Sequence, residues 1–321
     1  MKTKLLSAIL ALGILSTTTA QTLGDFKPGR SGPSSLSKPK FDSKNIYIAD
    51  FAVNYQVYSE ESASFKGGSG VFGKVMGKAK ASLAVGLDIP TETLQKITDD
   101  AYAKFVSDLK AKGFNVMKGD AAKGTAFYKD YQYSENLTIS ASPNLDGAAT
   151  VHPQNVGFFY NVKGGTTNYT KLSAELNDAA IVRVDLNVIF VESRGSNKSG
   201  IGASVVARTN LVLSDQNTIA HFMVGRNKIG GSPLAEYQGI IKNDLDIDGV
   251  IKEEKISSYV DSDYDNWGTS TAFGRLYSAK NKSKSKAIIV NADAGKYEKG
   301  VKMAIDTFLK HHVNEFNKKF Y

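Results

Sequence analysis

Long runs of alternating apolar and polar residues in the second half of this 321-residue chain constrain its fold most strongly. Residues 181–193 alternate strictly, and residues 203–214 alternate again after a link rich in Gly and Ser. This pattern predicts an antiparallel hairpin over residues 181–213, with one buried face and one solvated face. Residues 218–224 predict a third strand. The buried face consists of Val182, Val184, Leu186, Val188 and Phe190, and the solvated face carries Arg183, Asp185 and Asn187.

The first half of the chain predicts a strand, a helix and a second strand in succession. Residues 46–57 are apolar on both faces at their start, which indicates an inner strand covered by helices. Residues 91–112 predict a helix that follows Pro90 and ends at Gly113. Residues 114–117 return as a strand, so this βαβ-like unit implies a parallel pair. One face of the first strand is predicted to carry Tyr47, Ala49, Phe51, Val53, Tyr55 and Val57.

The fold class expected from these segments is α/β (α+β). It has a mixed sheet, the βαβ-like unit, the long antiparallel hairpin and a C-terminal amphipathic helix over residues 293–316. Residues 45–321 are expected to form one domain, with insertions at 59–88 and 232–285. Residues 21–44 contain three prolines and little to bury, which predicts a flexible leader outside the fold.

Residues 1–20 have the three parts of a secretory signal peptide. Lys2 and Lys4 precede an apolar run over residues 5–15, and small residues lead to Ala20. The run is about half of the roughly 20 apolar residues that a spanning helix needs. We therefore expect cleavage before Gln21 and export to the periplasm, the outer-membrane periphery or the extracellular space. The chain contains no cysteine, which excludes disulfides, thiolate metal sites and a lipid anchor on cysteine.

The formal net charge of +8 comes from basic residues that are dispersed along the chain. Dispersed charge is typical of a solvated basic surface, so we expect no nucleic-acid partner. Residues 68–73 match the GxGxxG spacing of dinucleotide-binding loops, but the strand and helix that should flank this motif are missing. We therefore expect no organic cofactor.

Three carboxylates indicate the one candidate metal site. Asp244, Asp246 and Asp248, followed by Gly249, match the opening of a calcium-binding loop. The twelfth position of such a loop should be a bidentate glutamate, and here it is Lys255. An acidic surface loop is the alternative interpretation. His152 and His221 belong to no catalytic motif, so an enzyme would need a site assembled from distant segments.

Four stretches of the chain together resemble a known family. They are NIYIADF at residues 45–51, LKAKGFNVM at 109–117, LNDAAIVRVDLNVIFVESRG at 176–195, and the two strands over 203–225. This order of elements is similar to the periplasmic α/β module of the curli-secretion channel lipoproteins, whose fold resembles an anticodon-binding domain. The resemblance implies a non-enzymatic envelope protein. The chain lacks the lipid-anchor cysteine of those proteins, and the hairpins of the family's channel members form a pore.

The expected function is assembly or secretion in the envelope through contacts with other envelope proteins or with further copies in a homo-oligomer. The alternatives are an outer-membrane pore subunit that inserts the 181–213 hairpin, a peripheral membrane contact, and a secreted enzyme or ligand- or cation-binding protein. The expected contact segments are residues 65–77 and 194–202. Within these two segments the candidate interaction residues are Gly67, Gly68, Gly70, Phe72, Arg194 and Asn197.

Overall fold

The computed structural model describes residues 21–31, 41, 43–65, 79–160, 169–198, 202–225, 235–257, 276 and 287–321. These residues form a mixed α/β fold, as expected. The strands are β1 Pro28–Ser31, β2 Asn45–Gln56, β3 Tyr58–Phe65, β4 Ala79–Asp88, β5 Asn115–Val116, β6 Gln132–Ser134, β7 Ser140–Ala141, β8 Ala148–Val151, β9 Phe158–Tyr160, β10 Ala180–Lys198, β11 Gly202–Leu213, β12 Ile219–Val224, β13 Ala235–Ile241, β14 Leu245–Asp246, β15 Glu254–Ser257 and β16 Ala287–Asn291. The helices are α1 Thr91–Ala111, α2 Tyr169–Glu175 and α3 Ala294–Phe320.

Among the described residues, eleven strands form one large sheet with β10 near its centre. β10 pairs in parallel with β2 on one edge. On the other edge its first half pairs antiparallel with β12 and its second half with β11. The strand order is β1-β13-β12-β10-β2-β8-β7. The predicted antiparallel hairpin is confirmed and is longer than expected, because its ladder reaches Lys198 opposite Gly202. The parallel pairing of β2 with β5 around α1 confirms the βαβ unit.

One face of the sheet is covered by α1 and α3, which form the main core with it. The ring of Phe222 on β12 stacks on that of Phe316 on α3, with centroids 4.3 Å apart. Burial of apolar side chains on this face is the main source of stability. Every residue predicted for the buried face of the hairpin is buried. So are the predicted apolar positions of α3, which are Tyr297, Val301, Ile305, Phe308, His312 and Phe316.

α3 packs very closely against β13 at Gly239. Gly239 faces the ring of His312, and a Cβ atom at Gly239 would lie 2.4 Å from that ring. The Nδ1 atom of His312 is 2.7 Å from the hydroxyl of Tyr237. Burial, followed by the neighbouring His311, lowers the pKa of His312 to about 3. His312 is therefore a neutral part of the core at physiological pH.

The prediction of a flexible leader is wrong for residues 21–31. β1 pairs antiparallel with β13, and Leu23 forms a bridge with Ile247. The prolines and the lack of apolar residues gave no sign of this, because the segment is held mainly by backbone hydrogen bonds. Residues 235–257, which lie within a predicted insertion, supply β13, β14 and β15 to the main sheet.

Residues 59–88, also predicted as an insertion, contribute to a second sheet of order β16-β4-β3. This sheet lies against the outer part of the β10–β11 hairpin. The chain passes from β2 to β3 through Val57 without a turn, so β3 continues the direction of β2 and of its parallel neighbour β10. The β3–β4 and β10–β11 hairpins therefore extend from the same end of the main sheet. Within the described part of the chain, no helix is long and apolar enough to cross a membrane.

Candidate functional site

A cluster of charged side chains lies on the sheet face opposite α1 and α3. Strand alternation places Arg183 and Asp185 of β10 on this face, and strand pairing puts Asp50 of β2 and His221 of β12 on either side of Arg183. His152 follows β8 directly and contacts Asp50. Four strands that are distant in the sequence thus place their ionisable side chains in one row. We call Asp50, His152, Arg183 and Asp185 the charged cluster.

A β-bulge in β2 brings Asp50 into this cluster. Ile48 pairs with Val182 and Asp50 with Arg183, so Ala49 is an extra residue in the ladder. Tyr47 and Ala49 consequently belong to the small second core, and Phe51 points to the main core. The prediction that Tyr47, Ala49 and Phe51 share one face is therefore wrong, because a bulge shifts the alternation by one residue.

Arg183 forms one hydrogen-bonded ion pair in the charged cluster, with Asp185, and the other ionic contacts are longer. The Nη2 atom of Arg183 lies 3.2 Å from Oδ2 of Asp185 and 3.9 Å from Oδ2 of Asp50. Nε2 of His152 lies 3.5 Å from Oδ1 of Asp50. The Nε atom of Arg183 is buried and has no hydrogen-bond partner among the described residues, and its guanidinium lies 5.5 Å from the ring centre of Tyr169. These side chains are 19–30% exposed, so each of the charges is only partly hydrated.

The electrostatics of the cluster favour a proton on Asp185. Burial raises the pKa of Asp185 to about 7, and the negative charge of Asp50 adds to this effect. Arg183 and His152 oppose it. Two carboxylates that share one arginine in a poorly hydrated place do not both ionise easily. Asp185 therefore exchanges a proton near neutral pH.

A second ionisable pair lies beside the cluster. Nε2 of His221 on β12 is 2.5 Å from Oε1 of Glu236 on β13. Burial lowers the pKa of His221, the charge of Glu236 opposes this shift, and Arg183 adds to it. The face thus contains two contacts between a histidine and a carboxylate, one on each side of Arg183.

A hydrogen-bonded network continues the polar face toward the hairpin. Nδ2 of Asn54 donates to Oδ1 of Asn187 at 2.9 Å, and Oγ1 of Thr150 donates to Oδ1 of Asn54 at 2.6 Å. Nδ2 of Asn187 donates to the carbonyl of Gln216 at 2.7 Å. Asn54 and Asn187 are 3% and 2% exposed. The predicted solvated face of β10 is therefore not solvated at Asn187, because neighbouring strands and loops satisfy its polar groups.

Aromatic side chains cover this sheet face at the N-terminal ends of β2 and β10, beside the charged cluster. The rings of Tyr128 and Phe159 stack with centroids 4.0 Å apart, and Phe127 packs against Tyr128 and Tyr169. Together with Tyr47 they belong to the second hydrophobic core. This aromatic cover explains why charged side chains on an outward sheet face are largely buried. No pattern of residue spacing in the sequence predicted these aromatic contacts.

The three candidate calcium ligands lie close in the chain but have separate protein partners. Oδ1 of Asp244 accepts from the backbone N–H of Asp215 at 2.7 Å, and Oδ1 of Asp246 accepts from Asn210 at 2.7 Å. Oδ2 of Asp248 accepts from the Thr22 hydroxyl at 3.3 Å. In the described ranges, no three His, Asp or Glu side chains are grouped as a metal site would need. The calcium hypothesis stays a prediction without support from this geometry.

The candidate interaction residues are placed only in part. Arg194 and Asn197 belong to the outer half of β10, where they pair with Val206 and Ala203 of β11. Gly67, Gly68, Gly70 and Phe72 lie outside the described residues, as does the predicted signal peptide. Arg194 and Asn197 therefore lie on the same hairpin, apart from the charged cluster. The sequence had indicated the charged cluster only as the polar face of a strand.

Comparisons with known proteins identify no relative of this chain. No protein-family model, no curated protein and no solved structure matches it. The resemblance to the curli-secretion module therefore stays a prediction.

Proposed function

We propose that this chain is an exported, non-enzymatic protein of a bacterial envelope that acts in assembly or secretion through contacts with other proteins. One observation carries the proposal, namely that the β3–β4 and β10–β11 hairpins extend from the same end of the main sheet. Each hairpin leads into one of the two candidate contact segments. A single partner surface at this end would contact both.

The outer part of the β10–β11 hairpin has the polar surface expected for contacts with soluble partner proteins. Glu192, Arg208 and Lys255, together with Val206, line a hollow of about 220 Å³ on it. The apolar side chains of its inner face are already buried, with Val205 and Ala207 fully covered. A polar, solvent-accessible rim is a general feature of protein interfaces, and these charged residues are suited to such a rim. The burial of the apolar face gives no support to the pore alternative, which needs that face against lipid.

Site-specific photo-crosslinking tests the proposed contact surface. A photoreactive residue is introduced at Arg194 in one variant and, as the matched control, at Lys110, an exposed basic residue at the end of α1. We expect crosslinks to envelope proteins at Arg194 and none at Lys110. Deletion of residues 67–77 should abolish the same crosslinks. Equal crosslinking at both positions, or crosslinks that survive the deletion, would contradict the proposal.

Cell fractionation tests export and separates the pore alternative from the leading proposal. We expect the exported chain to begin at Gln21 by mass spectrometry and to be released by osmotic shock or high salt. A pore subunit would resist high-salt extraction and require detergent. A chain that retains residues 1–20 in the cytoplasm would contradict both.

An enzyme remains the second candidate because of the contacts of His152 with Asp50 and of His221 with Glu236. Such pairs are a frequent basis of general acid–base catalysis. A hollow of about 700 Å³ lies instead along α1 and α3 near Lys104 and Met303. We expect His152→Gln and His221→Gln to leave partner crosslinking intact. A hydrolytic activity that both substitutions abolish would favour the enzyme.

A further inference from the structure

The segment directly after the predicted cleavage point forms a strap along the edge of the main sheet. We define the strap as residues 21–31. Its backbone pairs with β13 from Ser31 opposite Gln238 to Pro28 opposite Ile241, and Lys27 accepts from the N–H of Lys242 at 2.9 Å. The pairing continues past β14, because Gly24 donates to the carbonyl of Asp246 at 3.0 Å and Asp248 donates to that of Thr22 at 3.0 Å. The strap therefore covers one continuous edge over residues 238–248.

The strap is held by surface contacts and backbone hydrogen bonds. None of its residues is buried, in contrast to the strands it covers. Its side-chain anchors are Leu23 and Phe26, which are partly buried against the main core, and the ring of Phe26 meets His311 edge-on at 5.5 Å. Gln21 adds a hydrogen bond to the carbonyl of Lys296. An element with no fully buried side chain belongs to the least stable part of a fold and opens before the core does.

The connection between the strap and the rest of the fold is longer than the strap's position requires. Nine residues, 32–40, separate Ser31 from Phe41, and Phe41 donates to the carbonyl of Phe320 at 3.1 Å. Three strands lie between β1 and β2, so Ser31 and Asn45 are separated by at least four strand spacings, roughly 19 Å. The fourteen peptide units between them can reach about 48 Å, and the ten of these that precede Phe41 can reach about 35 Å. The strap of one molecule can therefore extend well beyond its own edge.

We propose that the strap exchanges between two copies of this chain, so that residues 21–31 of one copy pair with residues 238–248 of the other. The occupant is a second copy because the strap itself is the sequence whose backbone and side chains fit this edge. Exchange preserves every contact of the strap, which makes it a low-cost route to a dimer. The edge that an open strap leaves unpaired is also a ready site for an added strand.

Local concentration decides when exchange occurs. A connection of this length keeps the strap near its own edge at an effective concentration in the millimolar range, so an isolated copy closes on itself. Copies held side by side in an assembly, or folding together after export, reach comparable concentrations. The exchange uses the β13 edge and not the hairpins, so it does not rest on the contacts proposed above for the hairpin end.

Engineered disulfides test the exchange directly, because the chain has no cysteine of its own. Ser31 and Gln238 are partners in the ladder, at a separation that a disulfide can bridge. One tagged variant carries Ser31→Cys and an untagged variant carries Gln238→Cys, and both full chains are produced and exported in the same cell. The control replaces the second variant by Lys129→Cys, an exposed residue away from this edge.

We expect a disulfide-linked heterodimer of the Ser31→Cys and Gln238→Cys chains at several times the yield of the Lys129 control. A synthetic peptide of residues 21–31 in excess should lower this yield, because it competes for the same edge. The double variant Ser31→Cys/Gln238→Cys should form the disulfide within one chain. If it does, and if the heterodimer is no more abundant than in the control, the proposal is overturned. Failure of the double variant to close would overturn the pairing itself. A heterodimer that the peptide does not reduce would instead indicate collision between copies and would also overturn exchange.

Discussion

Replacement of Asp185 by asparagine should stabilise the protein at alkaline pH and have little effect at acidic pH. Asp185 is 19% exposed beside Asp50, and burial raises its pKa to about 7. In the unfolded chain the pKa of an aspartate is about 3.9. Between these two values the folded protein binds one more proton than the unfolded chain, so this group's contribution to stability falls as the pH rises from about 4 to about 7.

The size of the effect follows from the difference between the two pKa values. A difference of about 3 pKa units, at about 1.4 kcal/mol each, corresponds to about 4 kcal/mol above pH 7. Asparagine resembles the protonated carboxyl group in shape and carries no charge. We therefore expect Asp185→Asn to equal the wild type near pH 4, and to exceed its free energy of unfolding by about 1.5 kcal/mol at pH 5 and by up to about 4 kcal/mol at pH 8.

Urea unfolding at several pH values between 4 and 8 measures this difference. The difference between variant and wild type cancels the contributions of groups that do not interact with Asp185. An unchanged slope against urea would show that the unfolded surface stays the same. Asp130→Asn, a change of the same charge at an exposed position, is the control. A difference that does not vary with pH, or a variant less stable at pH 8, would refute the reasoning.

Three further outcomes follow from the structure. Gly239→Ala should lower the free energy of unfolding by about 1–3 kcal/mol in thermal or urea unfolding, because its Cβ would meet the ring of His312, whereas Gly295→Ala should change it little. The lowered pKa of His312 means that its contribution to stability is lost as the pH falls from about 6.5 to about 3, so His312→Phe should reduce acid unfolding followed by circular dichroism. Calcium titration by calorimetry should give no heat, since the carboxylates at 244, 246 and 248 have separate partners. Saturable heat of calcium binding would instead support the predicted calcium site.

The secondary structure of the core was predictable because its periodicity is a local property. The apolar positions that recur at helical or strand spacing include Leu94, Phe105, Val184, Val301 and Phe308, and these are buried. The bulge at Ala49 was not predictable, because one extra residue in a strand ladder cannot be recognised from the composition of the segment. The strap was missed for a related reason, because backbone hydrogen bonds to a distant edge do not require apolar side chains.

The candidate site was visible in the sequence only as polar residues on one strand face. Arg183 and Asp185 stand out as charges within a long strand, which is a signal for a special environment. Nothing in the sequence indicated that Asp50 and His152 would join them. Their proximity depends on strand order, and the pairing of β2 with β10 joins residues more than a hundred positions apart.

The sequence alone determined the long helices α1 and α3, the β10–β11 hairpin and their apolar faces, because these properties depend on residues only a few positions apart. It also determined that no disulfide contributes to stability. Only the tertiary structure decided that residues 21–31 close the edge of the sheet, that the two hairpins extend from the same end, and that Asp50 shares Arg183 with Asp185. These features depend on strand order and register, which arise from packing of the whole chain and have no local signature.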